Sequence, residues 1–338
     1  MKRVGLDARL SRQMSVGMKL YAREMCAKLP LVAPEFAYAT FSQGGNFDWS
    51  EQVALPLAIA KAGVDLVHFL SQYTPLVVPV RSIVTLHDVI HLCFPQHFKR
   101  KAAWYYRFVV RRACARAARV ITADERTVDD IERFLGVDHA KIRVVALGVD
   151  PQLFAPAPGA DAHAGERPYF LYVGNHRRHK DLATLLEAWC SLPERYEVDL
   201  YMSGPDDFGG ALERASTKRR HARVLGELSV PELAAYYRGA SALVHPALRE
   251  GFGLTLLEAM AAGTPVVVCA DAVPAVLEDA VLTFRARDVR MLAECLAAVL
   301  DDQGLRARLV NHGQMLARKF TWDRCARATA DVYREVLA

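Results

Sequence analysis

Residues 245–268 read HPALREGFGLTLLEAMAAGTPVVV. Just before them, Ala242, Leu243 and Val244 form an apolar run long enough for a buried strand. Pro246 stops that strand because it has no N–H to give to a ladder. Gly251 and Gly253 allow a tight turn and a close approach to a ligand. Leu254, Leu257, Met260 and Ala261 then recur at helical spacing. Gly263 ends the helix, Pro265 follows, and Val266, Val267 and Val268 read as the next buried strand. The unit is strand, glycine turn, helix, strand, which decides for an α/β fold with parallel strands. A helix N-terminus carries unpaired N–H groups and a partial positive charge, which suits a diphosphate. Glu258 is expected near the first helical turn, where a carboxylate could reach a ribose diol. Glu250, in the loop, lies nearer to whatever the phosphate carries. An acid in a first turn is also ordinary dipole complementation. The two acids together with the Gly251-Phe252-Gly253 turn and the flanking strands point to a ligand.

The same alternation runs outward through the chain. Strand-like runs fall at 3–6, 66–69, 82–86, 120–122 and 142–146, with helical patterns between several of them. Residues 151–168, PQLFAPAPGADAHAGERP, read as a linker. Strand-like runs resume at 169–173, 199–202, 223–225, 242–244 and 266–268. The expected architecture is two Rossmann-like, doubly wound domains facing a central cleft, with ligands at the carboxyl ends of the strands. The N-terminal domain is placed at 1–155 and the C-terminal domain at 165–320.

The 338 residues are 52% hydrophobic and 24% charged, as in a globular protein of two ordinary domains. The longest apolar stretches are too short to cross a bilayer, and MKRVGLDARL reads as a strand start rather than a signal peptide. The seven cysteines form no C-x-x-C pair and no metal spacing. They read as core residues of a reduced, cytoplasmic protein. No metal ligands are expected.

Three further segments carry chemistry. In VGNHRRHKDL, Gly174 ends a strand, and Arg177, Arg178, His179 and Lys180 gather positive charge before Asp181, a candidate N-cap. Such cations offset charge developing on a leaving diphosphate without a metal. Asp206-Asp207 reads as a surface turn. In TLHDVIHLCFP, His87 ends a strand and is able to donate to a phosphate or a sugar hydroxyl. Asp88 either orients it or caps the next turn. His91 either faces the cleft or packs, and His68 is a similar case. Asp7, at the end of the first strand, is either a polar cleft residue or a turn former. Third, residues 99–119 hold eight Lys/Arg and no acid. On a helix of 100° per residue, Val109, Val110, Ala113, Cys114 and Ala117 share a packing face. Arg107, Arg111, Arg112, Arg116 and Arg119 fall opposite, with Trp104, Tyr105 and Phe108. Cations interleaved with aromatics suit an anionic membrane surface, at roughly 1 kcal/mol per cation. The alternative is a solvated basic helix. Nucleic acid is the competing partner for such a patch, but the net charge of +5 is modest and no recognition motif accompanies it.

Taken in order, these segments resemble the retaining glycosyltransferases of the GT-B fold, family 4. LREGFGLTLLEAM is similar to the family's E-x7-E region, with Thr255 where proline is frequent. LYVGNHRRHKDLATLLEAW, VLGELSVPELAAYYRGASALVHPAL and VTLHDVIHLCFP resemble its phosphate loop, nucleotide-contacting stretch and active-site histidine loop. The resemblance implies that Lys180 binds the diphosphate and that His87 contacts sugar and phosphate. Leu228 would frame the base, and Gly17 would open a glycine-rich loop. It implies that Glu258 binds the ribose while Glu250 serves the transferred sugar. Asn175 stands where the family carries arginine, a charge that Arg177 or Arg178 could supply. Lys19 stands where a second glycine is common, and with Asp88 and His91 is assigned to the acceptor side. The final helix, within 321–338, would return to the N-terminal domain.

The resemblance further implies a metal-independent hexosyltransferase using a sugar nucleotide, first GDP-mannose, with UDP-sugars close behind. The acceptor would be lipid-linked or a saccharide in cell-surface polysaccharide synthesis. A sugar-nucleotide epimerase of the same fold is an alternative, as is a degenerate transferase kept as a binding module. A nicotinamide dehydrogenase is disfavoured, since no G-x-G-x-x-G follows the first strand.

Overall fold

A computed structural model of the chain describes residues 1–9, 14–42, 44–45, 50–98, 100–154, 167–205, 208 and 210–338. Most of the expected linker, residues 155–166, lies outside these, as do Asp206-Asp207 and Lys99. The chain forms two compact units: Met1–Gly148 with Trp322–Ala338, and Val149–Thr321.

The N-terminal unit is built on six parallel strands: β1 (Arg3–Asp7), β2 (Ala37–Phe41), β3 (Leu66–Phe69), β4 (Arg81–Thr85), β5 (Arg119–Thr122) and β6 (Ile142–Val144). Their order is β2-β1-β3-β4-β5-β6. The interior strands are largely buried on both faces, as in a helix-covered parallel sheet. The Trp322–Leu337 helix belongs to this unit. It buries Cys325, Ala326, Thr329, Ala330, Tyr333 and Val336 at helical spacing, with Thr329 against Met25 and Trp322 against Tyr21 of the Val16–Val32 helix. His68 is a core residue: its ring nitrogens lie 2.6 Å from the Tyr333 hydroxyl and 2.8 Å from Thr85 Oγ1. Burial pulls its pKa down to about 3, so the ring stays neutral.

The C-terminal unit carries β7 (Tyr169–Val173), β8 (Asp199–Ser203), β9 (Ala222–Gly226), β10 (Ala242–His245), β11 (Val266–Cys269) and β12 (Leu282–Phe284). The order is β12-β11-β10-β7-β8-β9, again parallel, which is the Rossmann arrangement read from its far edge. The order reverses between β7 and β10, so the loops leaving those two strands part there.

Two expectations fail for identifiable reasons. The basic segment is helical from Arg100 to Arg116, but Tyr106–Val110 takes the wider π turn. That breaks the uniform 100° projection. Tyr105 is buried and donates to Glu51 at 3.1 Å instead of facing outward. Arg119 lies beyond the helix and opens β5. Trp104, Phe108, Arg107, Arg111, Arg112 and Arg116 are exposed, with the Trp104 and Phe108 rings 5.1 Å apart. Gly17 and Lys19 lie in the first turn of the Val16–Val32 helix rather than in a loop, because Ser15 caps that helix by accepting from the Met18 N–H. Among the described residues no helix is long and apolar enough to cross a membrane.

Asp7 is buried in an ion pair and its carboxylate also accepts from the Arg9 backbone N–H at 3.4 Å, in keeping with the turn-former alternative. Arg9 grips both its carboxylate oxygens at 2.8 Å, and also donates to the Tyr73 and Gly45 carbonyls. Buried Glu51 lies 3.6 Å from the same guanidinium. Arg9→Ala would strand two buried carboxylates, at a cost of roughly 3–5 kcal/mol. The expected outcome is a lower urea midpoint with unchanged slope; an unshifted midpoint would show that this network contributes nothing.

Candidate active site

The site of the C-terminal unit grows from the ends of β7 and β10. After β7, Gly174 takes φ +151°, and a Cβ there would meet the Tyr172 hydroxyl at 2.9 Å. The chain then passes exposed Asn175, Arg177 and Arg178 into a short turn, Arg178–Lys180. Asn175 Oδ1 accepts from the Arg177 N–H at 3.3 Å. Lys180 is buried. Asp181 occupies the N-cap position of the Leu182–Ser191 helix, but in the left-handed region and without capping a backbone N–H; its carboxylate accepts from Thr184 Oγ1 instead.

β10 ends at His245, immediately before Pro246. The backbone then donates from Leu248 N–H to the His179 carbonyl at 2.8 Å, which ties this loop to the lysine turn. The consequence is a buried cluster. Lys180 Nζ donates to Glu250 Oε1, and His245 Nε2 lies 3.1 Å from the same oxygen. Burial alone would raise the Glu250 carboxyl, but Lys180 and His245 outweigh it and hold it far below the usual range. Burial lowers the pKa of His245, against the pull of Glu250 and assisted by Lys180. The cluster is therefore an ammonium and a neutral imidazole converging on an ionised carboxylate.

Gly253 caps the Leu254–Ala262 helix at φ +81°, and a Cβ there would meet Leu256 at 2.9 Å. Because the helix begins only at Leu254, Glu258 falls in its second turn, not its first. It is half-buried and accepts from the Tyr237 hydroxyl at 3.0 Å. Burial pushes its carboxyl up to about 7, against the lowering effect of Tyr237. The Phe252 side chain is buried 6.1 Å from the Phe320 ring, so this residue anchors the loop and offers only its backbone to a ligand. Gly251 is buried, and Leu228 is half-buried between β9 and the Val230–Gly239 helix.

In the N-terminal unit His87 lies two residues past β4. Its Nε2–H donates to the Leu70 carbonyl at 3.1 Å, and the Tyr21 ring stands edge-on at 4.8 Å. Burial lowers its pKa, partly opposed by Leu70 and Asp88. Asp88 accepts from the Ile90 N–H at 3.0 Å, the turn-capping alternative. The His91 ring packs on Phe98 and Tyr106, 4.1 and 5.3 Å between centroids.

His245 and Tyr237 were missed in the sequence. His245 left one signal, a histidine closing an apolar strand directly before proline. Tyr237 left none, because its contact with Glu258 is made between two helices. Buried Cys114 and Cys295 have thiols pushed up to about 12 and 11, which leaves them protonated and inert.

Two Rossmann-like units in one chain are the architecture of the GT-B glycosyltransferases. By family the chain belongs to glycosyltransferase family 4: residues 20–153 match the Glycosyltransferase Family 4 model and residues 158–315 the model of Glycosyl transferases group 1. It is 26% identical over 268 residues to O-antigen chain mannosyltransferase B of Escherichia coli, covering 75% of this chain and 70% of that protein. It is 31% identical over 248 residues to the D-inositol 3-phosphate glycosyltransferase of Xylanimonas cellulosilytica, covering 64% of this chain but only 56% of the relative. The structure of Anabaena HepE in complex with UDP-glucose is similar at a TM-score of 0.78 and 16% identity, over 99% of this chain and 100% of that one.

Glu258 sets a pH dependence. Its folded pKa, about 7, lies above its ordinary 4.5, so between these values the folded state holds more protons than the unfolded state. Stability of the ligand-free protein therefore falls as pH rises through that window. Glu258→Gln is expected to raise unfolding free energy at pH 8 by on the order of 1–3 kcal/mol and to flatten the decline from pH 5 to 8. Denaturant titrations at both pH values check this; a variant no more stable than wild type at pH 8 would refute it.

Proposed function

We propose that the protein is a retaining, metal-independent hexosyltransferase, moving mannose from GDP-mannose to a lipid-linked or saccharide acceptor in cell-surface polysaccharide synthesis. The observation that carries this reading is the Glu250 carboxylate held ionised by Lys180 and His245. A fixed anion suits the positive charge that develops at the anomeric carbon as the glycosidic bond breaks. Lys180 has further N–H donors for the leaving diphosphate, with Arg177 or Arg178 adding charge in place of the arginine that Asn175 lacks. Glu258 serves the ribose diol, and its ionisation is favoured when those hydroxyls donate to it. His87 spends its Nε2–H on Leu70, so its Nδ1 suits a sugar hydroxyl as an acceptor better than a phosphate as a donor. In a front-face displacement the bond from the anomeric carbon to the diphosphate oxygen breaks. The acceptor oxygen bonds to that carbon on the same face, and its proton passes to the departing oxygen.

Mannose is favoured by the O-antigen mannosyltransferase similarity, while the UDP-glucose complex of HepE keeps a UDP-sugar in contention. A thermal-shift panel separates them: a nucleotide at 100 times its dissociation constant stabilises by about 2.7 kcal/mol. Glu250→Ala is expected to lower kcat at least 100-fold with nucleotide affinity changed only a few-fold, and NMR of the product should show the donor's anomeric configuration kept. An inverted product sinks the mechanism.

The exposed Trp104, Phe108, Arg107, Arg111 and Arg112 support peripheral attachment to an anionic membrane, at the cytoplasmic face where sugar nucleotides are made available. Salt-sensitive sedimentation with phosphatidylglycerol vesicles is expected, and the triple variant Arg107→Glu/Arg111→Glu/Arg112→Glu should lose it. Undiminished sedimentation of that variant would remove the membrane from the proposal.

A further inference from the structure

A second charged constellation lies at the other end of the N-terminal sheet. Arg81 opens β4 and Arg119 opens β5, whereas His87 follows the carboxyl end of β4. At about 3.3 Å per residue, Arg81 and His87 stand roughly 20 Å apart along the strand direction. Arg81, Ser82, Arg116, Arg119 and Glu335 line a cavity of about 250 Å³. Its charge is unbalanced. Glu335 accepts from Arg119 at 2.6 Å and from Arg143 at 2.5 Å, and these two hold its carboxyl down to about 2. Arg81 donates to the Val336 carbonyl at 2.7 Å and Arg116 to the Leu76 carbonyl at 2.8 Å. Neither meets a carboxylate among the described residues. Four guanidinium groups thus share one acid, and two of them face the cavity with only a carbonyl as partner.

Part of this arrangement has a structural purpose, since Glu335 and Val336 belong to the C-terminal helix and the arginines fasten it to the sheet. Fastening needs one arginine for one carboxylate. Arg81 adds to the fastening through the Val336 carbonyl of the last turn, but this uses only part of its donor fork and does not account for Arg116 or for the concave space the arginines line. Planar forks around a concavity match the oxygens of a phosphate group. The volume lies below the roughly 300 Å³ at which pockets accept drug-sized ligands, and suits a single phosphorylated headgroup.

We propose that this cavity binds a phosphate-bearing anion, a phosphomonoester or a phosphodiester headgroup, through Arg81, Arg116 and Arg119. It is a site separate from the one that holds the sugar nucleotide. Bound there, the anion would also touch the last turn of the C-terminal helix and fasten it more tightly.

Calorimetry of the full chain with glycerol phosphate tests this, beside sedimentation with phosphatidylglycerol or phosphatidylcholine vesicles. Wild type should bind glycerol phosphate, Arg81→Gln at least tenfold more weakly, and Arg81→Lys in between, with nucleotide affinity unaltered in all three. Glu335→Gln, which removes the acid, should bind more tightly and keeps the test open should Arg81→Gln fail to fold. If phosphatidylglycerol vesicles displace glycerol phosphate, the source is a lipid headgroup; if they do not, it is a free phosphate metabolite. Absence of binding by glycerol phosphate, inorganic phosphate and vesicles alike overturns the proposal, as does equal affinity in wild type, Arg81→Gln and Glu335→Gln.

Discussion

The constraint on which the candidate site depends is the burial of one carboxylate. Glu250 is removed from most solvent and survives ionised only because Lys180 and His245 reach the same oxygen. A buried charge without partners would cost several kcal/mol and would instead take up a proton. Much of the local structure can be understood as the means of bringing those partners in. β10 and β7 are neighbours at the reversal of strand order, so the loops leaving them diverge from adjacent points. Pro246 ends the ladder just after His245, and the Leu248–His179 backbone bond joins the two loops.

Glu258 presents the opposite solution in the same helix–loop unit. It has a hydroxyl donor, Tyr237, and, among the described residues, no cation, so burial dominates and its carboxyl rises to about 7. Two acids eight residues apart thus have different charge behaviour near neutral pH. That difference follows from their partners alone, and it fits a division in which one carboxylate is permanently charged and the other becomes charged when hydroxyls donate to it.

The interior strands and the charged residues were legible in the sequence because burial on both faces writes continuous apolar runs such as Val266–Val268. Two strands were not, β2 and β12. Both lie at sheet edges, where partial exposure mixes polar residues into short segments, as in AYATF and LTF. Within the site, Lys180 and Glu250 were visible from motif and spacing. Their direct contact was not, because it depends on the Leu248–His179 bond, which local pattern does not encode. Tyr105 is expected on the wrong face because the π turn that follows it changes its angular position relative to the packing residues beyond that turn, Ala113, Cys114 and Ala117.

Each unit places a buried ion cluster after strands at its own reversal of order, and the two clusters differ in how their cations are used. In the N-terminal unit Arg9 directs its guanidinium at Asp7, Glu51 and two carbonyls. Its donors are consumed by the protein, and such a cation fixes loops and does little else. Lys180 in the C-terminal unit has three N–H donors and, among the described residues, a single side-chain partner. An ammonium held in place by one carboxylate, with donors still to satisfy, is prepared to take up an anionic group without rearranging. Saturation against spare capacity is what separates the two ion clusters, and the proposed role of the lysine cluster rests on that spare capacity for an anionic ligand.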